Sequence, residues 1–149
     1  MIIKKSTSEL HVKLTEISFV SKKYWNYSDE WMEIWKNHLT ITENFITNNY
    51  VYHLENDANE IVGFYAFVKF DNYIELDSLF VSPEYIGKGF GNLLMTDFLS
   101  KVREIDFNYK KLTAEPFAEI FYTKYGFETI ELQLSSKIEN RYLPIMIKN

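Results

Sequence analysis

A chain of 149 residues, 46% of them hydrophobic, is long enough to bury a sizeable core, which argues against disorder. Its formal net charge of −5, with no long basic run, lacks the phosphate-neutralising footprint of a nucleic-acid binder and sets that class aside. With no cysteine, the chain has no disulfides, thiolate metal sites or cysteine nucleophile. No cationic start leads into an apolar signal segment and every apolar run stops short of a membrane span, so 1–149 reads as one soluble, cytoplasmic domain.

Taken in order, Met1 to Ile3 suits a short strand. From Ser8 to Val20 the apolar positions Val12, Leu14, Ile17 and Phe19 mix helical and alternating spacing, and either element fits. Ser28 followed by Asp29 and Glu30 reads as the N-cap and acidic first turn of a helix that carries Trp31, Met32, Ile34 and Trp35 to about Asn37. Tyr50 to Leu54 and Ile61 to Phe70 alternate as strands joined by the polar turn ENDANE, a hairpin. Tyr73 to Val81 forms a third strand. Strict alternation puts Ile74, Leu76, Ser78 and Phe80 on one face, with Glu75, Asp77, Leu79 and Val81 on the other. Beyond Pro83 and a run of glycines, Phe90, Leu94 and Phe98 repeat at helical spacing to about Arg103. Lys110 to Ala114 suits a strand, and Pro116 the first position of a helix over Phe117 to Tyr125 with Gly126 as its cap. Phe127 to Leu134 and Arg141 to Ile147 complete the strands. The order predicts a mixed α/β (α+β) fold whose central sheet is mostly antiparallel and flanked by helices.

Gly87, Gly89 and Gly91 join the third strand to the following helix. Glycines at such a junction let successive N–H groups face a ligand, and the helix start adds partial positive charge, so the loop suits a phosphate. The spacing fits neither familiar phosphate loop. A Walker loop needs GxxxxGK followed by Ser or Thr, and the Rossmann fingerprint needs glycine where this chain has Asn92.

The pair of segments LFVSPEYIGKGFGNLLM and, about thirty residues on, AEIFYTKYGF resembles the GNAT superfamily of acyl-CoA-dependent N-acyltransferases over Ile61 to Phe127. The resemblance implies acetyl-CoA as co-substrate, no metal, and the family's GNAT fold. It implies that main-chain groups from Ile86 through Gly87, Lys88, Gly89, Phe90 and Gly91 to Asn92 hold a pyrophosphate, with the Lys88 charge adding to them. Ile86 stands where the family usually carries Arg or Gln, so only its main chain is available for this. By the same resemblance the Leu79 N–H donates to the acyl carbonyl, Val81 pairs with the pantetheine arm, and Tyr122 is the general acid for the departing thiolate.

An alkyl amine has a pKa about three units above neutrality and attacks a thioester only after losing a proton. Glu75 and Asp77 are the carboxylates on the strand concerned, and either can act as base, directly or through water. Each can equally be a solvated strand-end charge. Trp25, Tyr27 and Trp31 suit an aromatic acceptor wall with Asp29 or Glu30 drawing in a cationic amine, or ordinary helix packing. His11, His38 and His53 lack ligand spacing. The expected activity is N-acetylation of a primary amine, on a small molecule or peptide, by direct attack in a ternary complex. The alternatives are a non-catalytic acyl-CoA-binding module and an interaction domain docking or homodimerising through Trp25 and Trp31.

Overall fold

The computed structural model describes residues 1–105, 107 and 109–149. Seven strands, β1 (Ile2–Lys5), β2 (Tyr50–Glu55), β3 (Ile61–Lys69), β4 (Ile74–Val81), β5 (Lys110–Thr113), β6 (Glu128–Leu134) and β7 (Tyr142–Lys148), join in one sheet ordered β1-β2-β3-β4-β5-β7-β6. Every neighbouring pair is antiparallel except β4 with β5. The β2–β3 turn closes with the Asn56 N–H donating to Glu60 O at 3.0 Å, while the Asn56 side-chain oxygen accepts from the N–H groups of Ala58 and Glu60.

Helices α1 (His11–Lys23), α2 (Asp29–Ile34), α3 (Lys36–Leu39) and α4 (Glu43–Asn48) precede β2, α5 (Phe90–Glu104) follows β4, and α6 (Glu119–Thr123) follows β5. The ambiguous stretch after Ser8 is a 3-10 turn running into α1. Its buried stripe is Leu14, Ile17, Ser18 and Ser21, and the two serines are satisfied by donating to Leu14 O and Val81 O. Ser28 caps α2 by accepting from the Trp31 N–H at 3.1 Å, but the helix stops at Trp35 and restarts as α3, short of the single run expected to Asn37.

The sheet divides two cores. On one face α5 packs Leu94, Met95, Phe98 and Val102 against Tyr65, Phe67, Ile74, Leu76, Leu112 and Met146. Each fully buried apolar side chain of this kind contributes about 1.5–3 kcal/mol. On the other, Leu14 and Ile17 of α1 and Ile46 of α4 pack against Val51, Phe64 and Ala66.

Gly63 lies where β3 runs close to both β4 and α5. A methyl group there would stand 2.7 Å from Phe80 O and 3.1 Å from Leu94 Cδ1. Gly63→Ala is therefore expected to destabilise the fold by about 1–3 kcal/mol through overpacking, read as a lower urea midpoint at unchanged slope.

The alternation read along β4 fails at one residue. Ala66 pairs with Ser78 but Phe67 pairs with Leu76, so Asp77 is an extra residue, a β-bulge. Leu79, Val81, Leu76 and Ile74 thus share the α5 face with Tyr65 and Phe67. Glu75, opposite Val68, turns to the α1 face with Ser78 and Phe80. Glu75 does not share a face with Leu79 and Val81, and Asp77 belongs to neither ladder.

Candidate active site

Beyond Leu76 and Leu112 the parallel pair β4–β5 ends, while β5 stays with β7 through Thr113↔Ile145 and Ala114 N–H to Pro144 O at 2.8 Å. The sheet therefore opens into a wedge at the C-terminal ends of β4 and β5. Ser82 N–H bonds Val62 O on β3, and hydrogen-bonded pairs alternate along an antiparallel ladder, so Leu79 and Val81 direct their main-chain groups away from β3, into the wedge. Val81 O already accepts from Ser21 Oγ at 3.0 Å.

The loop after β4 begins with a 3-10 turn over Pro83–Tyr85, in which the Ile86 N–H donates to Pro83 O at 3.2 Å. Main-chain contact to a ligand through that amide is thus in competition with the turn. The next six amides, Gly87 to Asn92, have no acceptor among the described residues. The last three are the first-turn amides that any helix leaves unpaired. Gly87 and Gly89 both have φ of +84°, and a Cβ at either would meet nothing within 4 Å. The loop is an open concavity of N–H groups capping a 15-residue helix, which fits a phosphate-bearing ligand by its own geometry. Lys88 is exposed beside it, its ammonium 5.5 Å from the Tyr85 ring centre.

Tyr122 lies on α6 in the same core as Leu76, Leu112 and Ala114, the residues at the apex of the wedge. Its ring packs on Phe121 and Phe127. Its hydroxyl makes no hydrogen bond among the described residues. Since no fully enclosed side-chain polar atom there lacks a partner, the phenol oxygen must reach an accessible surface. Burial, with the Glu115 charge, pushes its pKa up, so it is a protonated donor at neutral pH. Tyr125 instead donates to Asn92 Oδ1, bracing α6 against the start of α5.

On the α1 side the wedge continues into a cavity of about 380 Å³ lined by Glu75, Asp77, Thr113, Glu115, Lys22 and Trp35, among others. Glu75 pairs across the sheet with Lys111, and burial raises its pKa against the pull of that lysine, with Asp77 adding to the rise. Asp77 accepts from Ser78 Oγ at 2.8 Å.

The aromatic residues after α1 are arranged differently from the open wall expected. Asp29 points into solvent, paired with Lys23 at 2.5 Å, and neither it nor Glu30 lines the cavity. The rings of Tyr27, Trp31 and Trp35 surround the Arg141 guanidinium at 4.9, 5.5 and 5.2 Å, so their cage holds the protein's own cation. Trp25 stacks on Phe117 at 5.0 Å at the surface. Glu115, with no sequence signal beyond preceding Pro116, lies in the cavity wall among Lys22, Tyr27 and Arg141, residues drawn together only by folding.

His53 is buried between Ser6 Oγ at 2.8 Å and Glu55 Oε2 at 2.9 Å on the far edge of the sheet, and it braces β1 to β2. His38 lines the cavity. Among the described residues no cluster of His, Asp or Glu is arranged to hold a metal ion, and no helix is long and apolar enough to cross a membrane.

This wedge, loop and sheet define an acyl-transfer fold, and the sequence pattern agrees. The family pattern for an acetyltransferase (GNAT) domain matches residues 22–139, and the chain belongs to that family. Comparison with curated protein sequences gives no significant match. Among solved structures the chain resembles a PaiA N-acetyltransferase from Thermoplasma acidophilum in complex with coenzyme A, at 22% identity and a TM-score of 0.82 over 99% of this chain and 98% of that one. It also resembles an aminoglycoside 6′-N-acetyltransferase complexed with coenzyme A, at 16% identity and a TM-score of 0.72 over 99% and 96% of the two chains. A third is a GNAT family acetyltransferase from Elizabethkingia anophelis with acetyl-CoA bound, at 17% identity and a TM-score of 0.68 over 99% and 97%. At these identities the likeness is one of fold.

Proposed function

We propose that residues 1–149 act as one cytoplasmic acetyltransferase domain that moves an acetyl group from acetyl-CoA to a primary amine by direct attack in a ternary complex. The observation that carries this reading is the combination of three features around the end of β4: the six open amides of Gly87–Asn92, the wedge faced by Leu79 and Val81, and the cavity lined by Glu75 and Asp77. Bound there, acetyl-CoA would supply the activated thioester.

The chain's own groups then have distinct tasks. The amides from Gly87 to Asn92, with Lys88 beside them, hold the pyrophosphate, and Ile86 contributes less because its amide closes the preceding turn. Val81 aligns the pantetheine amide. The Leu79 N–H donates to the carbonyl oxygen as negative charge grows on it. Glu75, on the cavity side of β4, takes a proton from the ammonium, directly or through water, and leaves the nitrogen lone pair free. The new N–C bond forms as the C–S bond breaks, Tyr122 gives its proton to the departing sulfur, and the second proton that the nitrogen sheds on becoming an amide returns through solvent to the Tyr122 phenolate. The bulge supports this division, since it turns Glu75 toward the acceptor cavity while Leu79 and Val81 keep the α5 side.

The test begins with calorimetric titration of acetyl-CoA and, separately, an adenine nucleotide without pantetheine, followed by thiol release across an amine panel. Micromolar acetyl-CoA binding, much weaker nucleotide binding and amine-dependent thiol release are expected. No binding to either ligand would reduce the glycine loop to a structural turn. The pH profile carries a further expectation. Glu75 must be ionised to act and burial raises its pKa, so activity falls as pH drops through a value above the usual carboxylate figure of about 4.3. Glu75→Gln is expected to lower kcat about a hundredfold and to remove that acid limb. An unaltered limb in the variant would move the role to Asp77 or to water.

A further inference from the structure

The cavity wall contains an ionic cluster that the chemistry above does not use. Glu115 accepts from Lys22 Nζ at 2.7 Å, from Arg141 Nη2 at 3.2 Å and from the Tyr27 hydroxyl. The side chains of Lys22, Glu115 and Arg141 are 17%, 16% and 12% exposed. Two cations thus share one carboxylate in a poorly hydrated place, and Tyr27 adds no charge, because burial and the bond to Glu115 lift its pKa to about 12. Excess buried charge is costly unless something answers it.

The two cations are not equivalent. Arg141 is enclosed by its three aromatic rings and donates to both Tyr27 and Glu115. Lys22 bonds one carboxylate oxygen, although an ammonium has three N–H groups, and it lies on the cavity lining with the Trp35 and Tyr27 ring centres 4.5 and 5.5 Å away. Burial pulls the Lys22 pKa down, while the Glu115 carboxylate at hydrogen-bond distance favours the charged form. Glu75 and Asp77, on β4, belong to the same lining. Glu75 titrates under the influence of Lys111 and Asp77, and Lys22 under that of Glu115 and Arg141. The cavity thus presents the β4 carboxylates, where the attacking nitrogen has to sit, together with the ammonium groups of Lys22 and Lys137, of which Lys22 is the one held in place by Glu115.

We propose that the acceptor carries a carboxylate as well as its amine, as an amino acid does, and that Lys22 is the residue that selects it. This rests on the N-acetyltransferase reading above. The ammonium end meets Glu75 and Asp77, and the carboxylate end meets the unused N–H groups of Lys22. The aromatic cage takes no ligand cation because Arg141 fills it. A cavity of about 380 Å³ matches a metabolite-sized molecule.

The test compares ligands that differ only in the carboxylate, titrated into the CoA-loaded protein so that no turnover is required. N-acetylleucine is paired with N-isopentylacetamide, and the corresponding pairs are made from phenylalanine and lysine. In at least one pair the acid is expected to bind about ten-fold tighter or more, the worth of one hydrogen bond to a charged group. Lys22→Met should erase that preference and Lys22→Arg should retain most of it, with acetyl-CoA affinity unchanged in both. Equal binding within all three pairs, or a preference that survives Lys22→Met, would overturn the proposal. Turnover separates it from the reading beneath it. Carboxylate selectivity without acetyl transfer to any amine sinks the enzyme reading alone, whereas acetyl transfer that favours decarboxylated amines sinks the Lys22 assignment alone. A dipeptide, whose carboxylate lies one residue further from the amine, distinguishes a free amino acid from a peptide end by its weaker use.

Discussion

Tyr122→Phe is expected to lower kcat about a hundredfold or more while leaving acetyl-CoA affinity within a factor of about two. The substitution removes one oxygen and keeps the ring, so the contacts to Phe121 and Phe127 remain. That oxygen has no hydrogen-bond partner among the described residues, so no internal donor or acceptor is stranded and stability should change little. What the variant loses is a proton donor at the apex of the wedge. Burial and Glu115 hold the phenol above its ordinary pKa, so it stays protonated at neutral pH, and its transfer to sulfur depends on placement beside the leaving group rather than on acid strength. Single-turnover thiol release at saturating acetyl-CoA separates this from a binding defect. Tyr125→Phe is the control, since its hydroxyl is engaged with Asn92 and lies outside the proposed chemistry. An unchanged kcat in Tyr122→Phe would return Tyr122 to a packing role.

Most of the strands and the loop could be read in the sequence because they follow local rules. The β2–β3 hairpin carries alternating apolar residues around a polar turn, and the glycines at 87, 89 and 91 announce a special backbone where two of them adopt positive φ. The failures have physical causes. Asp77 is an ordinary polar residue within an alternating run, and nothing in its type marks it as the extra residue, yet its insertion turns Glu75 to the opposite face. The period of α1 was blurred because two of its buried positions are Ser18 and Ser21, which bond to main-chain oxygens and so tolerate burial. The helix after Ser28 was capped where expected, but Trp35 turns into the cluster around Arg141 and divides it. The polar cluster was illegible for a different reason. Lys22 and Tyr27 are near neighbours in sequence, but Glu115 and Arg141 come from two distant parts of the chain, and only folding unites them.

Gly89→Val is expected to reduce acetyl-CoA affinity by two orders of magnitude or so, with the fold retained. Gly89 sits at φ +84°, a region that a β-branched residue enters at a cost of about 1–3 kcal/mol. Part of the loss therefore arises from the loop shifting its amides out of their shared orientation. The rest is steric. A Cβ at Gly89 meets no protein atom within 4 Å, so the added methyl groups project into open space beside the amides proposed to hold the pyrophosphate. Gly91→Ala is the comparison, because its φ is unremarkable and its Cβ would make ordinary contact with Phe121 at 3.6 Å. It should fold and bind more nearly as the parent does. Calorimetry with acetyl-CoA and thermal unfolding on the same samples distinguish a damaged cradle from a damaged fold. Set beside Tyr122→Phe, the pair tests the division of labour directly, because the loop variant should fail in Kd and the tyrosine variant in kcat. Equal loss of affinity in both would sink the separation of phosphate holding from proton transfer.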